Sequence, residues 1–264
     1  MQAGYPHPAG SDGIKMRIAA FCASNGAGVV VQCARMKTLS ILPLVGACAV
    51  LTFISCSSPN HGSGHSTTEL FNGRDLIGWQ SVLADTNVSR EAVWSVRDGL
   101  IVCQGEPLGF LHTSESFTNF RLVVEYRWAP GAKPGNSGIF SRINGSPRPL
   151  PCCVEVQLQH GNAGDVMGLQ GLTLAAGQPR GFEVMNHKVA GDIRGVKKVV
   201  AAEKPAGEWN HVEILAQGGS YTVWINEQKV NEVAGIAVIA GQVGLQSEGG
   251  EIHFRRVTIT PMAN

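Results

Sequence analysis

Between about positions 69 and 261 apolar and polar residues alternate along much of the chain with the period of a β-strand. The clearest run is 120–128, with Phe120, Leu122, Val124, Tyr126 and Trp128 on one side and Arg121, Glu125 and Arg127 on the other. Similar runs predict strands at 93–96, 100–103, 137–143, 153–160, 211–216, 221–225, 242–246 and 252–259. Asp98-Gly99, between the first two, is a hairpin signal because both residues tolerate positive φ. In the last run the apolar phase slips between Phe254 and Val257, which predicts a β-bulge. No segment holds a helical period over three or four turns. The stretch 161–205 is less regular and is expected to be long loops carrying one or two short strands. Short strands joined by Gly- and Asn-rich turns define an all-β domain, a jelly-roll sandwich of two antiparallel sheets.

The beginning of the chain has a different pattern. Met36-Lys37-Thr38, an apolar run from Leu39 to Ile54 and then Ser55-Cys56 form a secretory signal. The run is short of the roughly 20 apolar residues a spanning helix needs. Phe53-Ile54-Ser55-Cys56 resembles a bacterial lipobox, so Cys56 is expected to carry lipid. The expectation is an exported protein, a periplasmic or cell-surface lipoprotein of a bacterium, held to the membrane through that anchor. Residues 1–35 read as an extension upstream of the true start, 36–56 as the signal segment, 57–68 as a flexible Gly/Ser-rich tether and 69–264 as the folded domain.

Composition narrows the chemistry. Lys and Arg number 21 against 20 Asp and Glu, and no basic stripe stands out, which excludes nucleic acid as the expected partner. The domain's cysteines are Cys103, Cys152 and Cys153, whose spacing is not that of a zinc site. A disulfide from Cys103 to one of the adjacent pair and small buried thiols are both open. Gly-x-Ser-x-Gly, His-Glu-x-x-His and Gly-rich phosphate-loop motifs are absent.

In the strand around Glu155, Val154, Val156 and Leu158 point one way and Glu155, Gln157 and Gln159 the other. The Cα atoms of Glu155 and Gln157 are then roughly 6.5 Å apart, and a carboxylate beside an amide suits sugar hydroxyls. A solvated strand face is the alternative. Arg142 ends the preceding strand, and its fork of donors suits a carbonyl or enolate oxygen, or a pairing with Glu155. His160 ends the Glu155 strand and has a near-neutral pKa suited to proton transfer. Glu248 stands in a loop beside Gln246.

Seven phrases then fall in order: Leu70–Trp79, Trp94–Gly99, Asn136–Arg142, Val154–Leu158, Gly207–Asn210 with Trp224–Asn226, Gly244–Gln246 and Ile252–Arg255. In this order they resemble the 3-keto-disaccharide hydrolase family, long catalogued as a domain of unknown function. The resemblance implies the fold of concanavalin A-like lectins and glucanases, two curved sheets with sugar held on the concave face. It implies action on glycosides oxidised to a ketone at C3. One base removes the C2 proton, a donor stabilises the enolate, the group on C1 leaves, and water adds back. On that pattern Glu155 or His160 is the base, Arg142 and Gln157 steady the oxygen, and Asn136, Gln246 and Glu248 bind substrate. For ordinary glycoside hydrolysis Glu155 and Glu248 are the candidate pair. Glu155 and His160 have suitable chemistry for a divalent metal, but no spacing requires one. A non-catalytic carbohydrate-binding module is the alternative function.

Overall fold

The computed structural model describes residues 66–263. The extension, the signal segment with Cys56 and the tether up to residue 65 lie outside them, and the expected end of the tether at 68 is overtaken by the first strand, where Thr68 pairs with Ile259. In chain order the strands are β1 (Thr68–Glu69), β2 (Trp79–Leu83), β3 (Trp94–Arg97), β4 (Leu100–Cys103), β5 (Gly109–Phe117) and β6 (Phe120–Trp128). They continue as β7 (Gly138–Asn144), β8 (Cys152–Gln157), β9 (Val166–Leu169), β10 (Gly181–His187) and β11 (Gly191–Val196). The last are β12 (Asn210–Gln217), β13 (Ser220–Ile225), β14 (Gln228–Val233), β15 (Gly241–Ser247) and β16 (Ile252–Pro261). The only helix among the described residues is one turn, Arg90–Val93.

The strands form two antiparallel eight-stranded sheets. One runs β14-β13-β12-β6-β16-β4-β3, with β1 beside β16; the other runs β10-β11-β9-β8-β7-β15-β5-β2. The core lies between them. Leu122, Val124 and Tyr126 from the first sheet and Ile139, Val154, Val156 and Leu245 from the second are buried in one apolar cluster. Each such side chain contributes about 1.5–3 kcal/mol on leaving water, so the alternating residues fix which face of each strand turns inward. Ser141 Oγ and Tyr221 Oη meet across the gap at 3.0 Å.

Most expected strands form within a residue or two of their predicted ends. Asp98 and Gly99 both take positive φ, 51° and 76°, and close the β3–β4 hairpin. The register of β16 against β6 shifts between Phe254 and Arg256, the expected bulge. The region 161–205 departs from expectation by holding three strands, β9, β10 and β11, which extend the second sheet to its edge. All three thiols of the domain are free. Cys103 lies buried in the first sheet, and desolvation pushes its pKa up to about 12.

Candidate active site

The site lies on the face of the second sheet turned away from the core. Register carries one row of side chains straight across all eight strands: Gln80, His112, Gly244, Phe140, Glu155, Met167, Gly195 and Phe182. A second row lies one pleat away, with Phe110 opposite Gln246 and Gly138 opposite Gln157. The alternation read from Val154–Leu158 therefore assigns the two faces correctly. The alternative of a solvated strand face does not hold, because Glu155 is only 2% exposed and Gln157 only 4%.

Glycines make the crowding feasible. A Cβ on Gly138 would stand 2.4 Å from Glu155 Oε1, so the carboxyl folds against bare backbone. A Cβ on Gly135 would stand 2.0 Å from the carbonyl oxygen of Gly249. That close approach joins the segment before β7 to the turn after β15, and the Asn136 backbone N–H donates to Gly249 O at 2.9 Å. Asn136 and Glu248, far apart in sequence, become neighbours. Asn136 Nδ2 donates to Glu248 Oε2 at 2.8 Å, and Gln246 Nε2 donates to the same oxygen at 2.7 Å.

The two carboxyls have different surroundings. Glu155 accepts no hydrogen bond, and its Oε1 is buried without a partner. Burial first, and the nearby Glu248 charge second, push its pKa well above the ordinary carboxylate value. Glu248 is partly open to solvent. Burial raises its pKa to about 7, while the Gln246 amide pulls in the opposite direction. Two further acceptors, Asn136 Oδ1 and Gln246 Oε1, are buried without donors, because both amides turn their NH2 groups to Glu248. Gln157 uses its Oε1 to accept the Gln159 backbone N–H at 2.8 Å, which leaves its amide nitrogen for a ligand. Among the described residues no three His, Cys, Asp or Glu side chains cluster as ligands for a metal.

Two expected members are elsewhere. Arg142 has φ of 52° at a register break between Ser141 and Asn144. That bulge turns its side chain off the Glu155 face and into the interior, 5.1 Å from the Tyr221 ring. Its guanidinium donates to the carbonyls of Ala237 at 2.7 Å, Thr118 at 3.0 Å and Gly218 at 2.7 Å, and no part of it reaches Glu155. It is structural. His160 lies at the opposite end of the β7–β8 pair, its Nδ1 3.5 Å from Glu203 and its ring against Trp128. Glu203 in turn accepts from Tyr126 Oη, Trp128 Nε1 and the Gly161 N–H. His160 thus belongs to a cap on the end of the sandwich and is not brought to Glu155.

Sequence reasoning missed His112. It shares the Glu155 row, and its Nδ1 lies 2.9 Å from the Thr113 carbonyl, which can only accept. Nδ1 therefore donates in that contact. Gly138, a member of one of the seven phrases, seats Glu155 through its missing Cβ.

The fold is an all-β jelly-roll sandwich, with Glu155 on the outer face of its second sheet and Glu248 in the adjoining turn. The chain belongs to the 3-keto-alpha-glucoside-1,2-lyase-like domain family, whose sequence profile matches residues 66–260. Membership places it among glycoside-acting proteins. No curated protein matches it. Among solved structures it is similar to a candidate glycosyl hydrolase from Parabacteroides distasonis. The two share 21% identity over 76% of this chain and 96% of that one, with a TM-score of 0.53. A second structure from the same organism gives 20% identity, 75% and 100% coverage and a TM-score of 0.51. A carbohydrate-binding module from Bacillus subtilis gives 13% identity, 69% and 95% coverage and a TM-score of 0.50. These likenesses concern the fold.

Proposed function

We propose that the domain cleaves glycosides already oxidised to a ketone at C3, with Glu248 as base and Glu155 as acid. One observation carries the reading: a carboxyl on the sheet face and another in the adjoining turn stand in environments that separate their protonation. Glu155, buried and unpartnered, holds its proton more tightly than an ordinary carboxyl and is suited to give it. Glu248, held by two amide donors and partly open to solvent, is suited to take one. This reverses the role first expected of Glu155, and His160 and Arg142 drop out.

The ketone acidifies the proton on C2. Glu248 carboxylate takes that proton, and negative charge moves to the C3 oxygen, where the Gln157 amide nitrogen can donate. The electron pair then forms the C1–C2 double bond as the C1–O bond breaks, and Glu155 protonates the departing oxygen. Water adding its oxygen to C1 and a proton to C2 completes net hydrolysis. The unpaired oxygens of Asn136 and Gln246 fit the hydroxyls of the sugar as donors. The test is incubation of the purified domain with 3-keto-glucosides beside their unoxidised parents, with and without chelator. Cleavage of the keto substrates alone is expected; equal cleavage of the parents would overturn the reading.

The pH dependence follows from the two directions. The rate should rise as pH climbs through about 7, where Glu248 loses its proton, and fall again once Glu155 loses its own. Stability should move the other way. Both carboxyls hold protons in the folded state at pH values where the unfolded chain has released them. Their contribution is thus fully present below the unfolded value near 4.5 and is lost as pH rises towards and beyond 7. Melting temperature should fall from pH 5 to pH 8, and Glu248→Gln should flatten that fall; a curve unchanged by the substitution would contradict it.

The anchor is a proposal of the same standing. Expressed in a Gram-negative host from Met36, the protein should enter the membrane fraction and take up labelled fatty acid at Cys56. Equal labelling of Cys56→Ser would rule the anchor out.

A further inference from the structure

The row through Glu155 continues beyond this carboxyl to the sheet edge, where Phe182 sits on β10. Glu155, Met167, Gly195 and Phe182 are direct register partners on successive strands. Three strand spacings separate Glu155 from Phe182, about 14 Å between Cα atoms. Gly195 shapes the interval. A Cβ there would lie 2.4 Å from Phe182 Cζ and 2.9 Å from Met167 Cγ, so the ring leans inward across β11 towards Met167. Phe182 is therefore half-buried, although residues on either side of it along the edge strand are exposed.

A cation stands with this ring. Lys197 Nζ lies 4.5 Å from the Phe182 ring centroid and 3.0 Å from Asp165 Oδ2, while most of its side chain remains in solvent. Asp165 also accepts the Lys198 backbone N–H at 2.9 Å and has the Lys198 ammonium 3.9 Å away. Arg180 adds a third cation to this corner, donating its Nε–H to the Lys197 carbonyl at 2.9 Å. Asp165 is paired with two of these cations and Arg180 stands beside them, so the corner keeps a net positive charge. It is joined to the site itself, because the Gln157 N–H donates to the Asp165 carbonyl at 2.9 Å.

We infer that Phe182 and Lys197 form a subsite for the leaving group, one that favours a ring-bearing aglycone carrying a carboxylate. The inference rests on the proposed function only for which bond is cut. With the C1–O bond at Glu155, the aglycone ring points along the row towards the Phe182 ring, which covers the buried Met167. Its anionic substituent then meets the Lys197 ammonium, which stands over the aromatic face and remains open to solvent. Neither residue touches the reacting atoms. Their effect is discrimination between leaving groups.

The test compares 3-keto phenyl glucoside with 3-keto 4-carboxyphenyl glucoside, as kcat/KM, for the wild-type domain, Lys197→Met, Lys197→Arg and Phe182→Leu. Wild type should favour the carboxylate by about fivefold, as expected for one partly exposed charge pair. Lys197→Met should lose that preference and Lys197→Arg restore it, while Phe182→Leu should weaken both aryl substrates relative to the methyl glycoside. A ratio that Lys197→Met leaves unchanged overturns the subsite. Calorimetric binding of the unoxidised phenyl and carboxyphenyl glucosides separates the two readings. If no keto substrate turns over, yet Lys197→Met selectively weakens the carboxyphenyl glucoside, the subsite stands and the proposed reaction falls. If turnover occurs and neither binding nor ratio responds, the subsite falls alone.

Discussion

Glu155→Gln is expected to leave the domain folded and to lower turnover of a 3-keto-glucoside by at least about 10²-fold. Loss of one positioned acid–base group costs about 10²–10⁴-fold in rate. The amide keeps the shape that fits against Gly138, and it removes a carboxyl that is buried without a partner, so melting temperature should move little or rise. Glu248→Gln should cost a comparable factor while also removing the rising limb of the pH–rate profile, since it deletes the base. Val156→Asp is the control. It points a charge into the core between the sheets and should unfold the domain outright. A Glu155→Gln domain with full activity, or one that collapses as Val156→Asp does, would remove Glu155 from the chemistry.

Arg142→Met should have the opposite profile, a large loss of stability with turnover per folded molecule preserved. The guanidinium is fully buried and supplies donors to three carbonyls from three separate segments of the chain. Methionine fills similar space but donates nothing. An unsatisfied buried acceptor costs about 1–3 kcal/mol, so three should cost at least about 3 kcal/mol. For a domain of this size that is a drop of roughly 6–12 °C in melting temperature. Thermal melts and rates normalised to folded protein check both halves. A variant of wild-type stability that fails to turn over substrate would return Arg142 to the active site.

The contrast between Glu155 and Arg142 explains what the sequence could disclose. Strict alternation over 154–158 places Glu155 and the core valines on opposite faces, and the fold honours it because burying Val154 and Val156 allows only one register. The same alternation would put Arg142 on the Glu155 side, two residues after Phe140. It fails there because the backbone at Arg142 enters the left-handed region and resets the pleat, and nothing in Phe-Ser-Arg-Ile announces that. The strand β5 is hidden in the sequence for a related reason. Its first residues are buried and its last are exposed, so Gly109–Phe117 has no period of two, and His112 went unnoticed with it. The three strands between 161 and 205 were also hard to read. Both faces of β9 are covered, while β10 at the sheet edge is mostly exposed, and neither condition gives the simple pattern of a half-buried strand. The seven phrases succeeded in identifying the family where periodicity could not. Several of them hold residues whose role is contact across the sheet: Gly138 under Glu155, Asn136 and Gln246 on Glu248.

The most direct test of the account is the fate of the C2 proton. A 3-keto-glucoside carrying deuterium at C2 should react more slowly than its protiated counterpart. In deuterated water the hydrolysed sugar should acquire deuterium at C2, and Glu248→Gln should suppress that exchange together with cleavage. Cleavage without an isotope effect and without C2 exchange, or exchange that persists undiminished in Glu248→Gln, would contradict proton abstraction by Glu248.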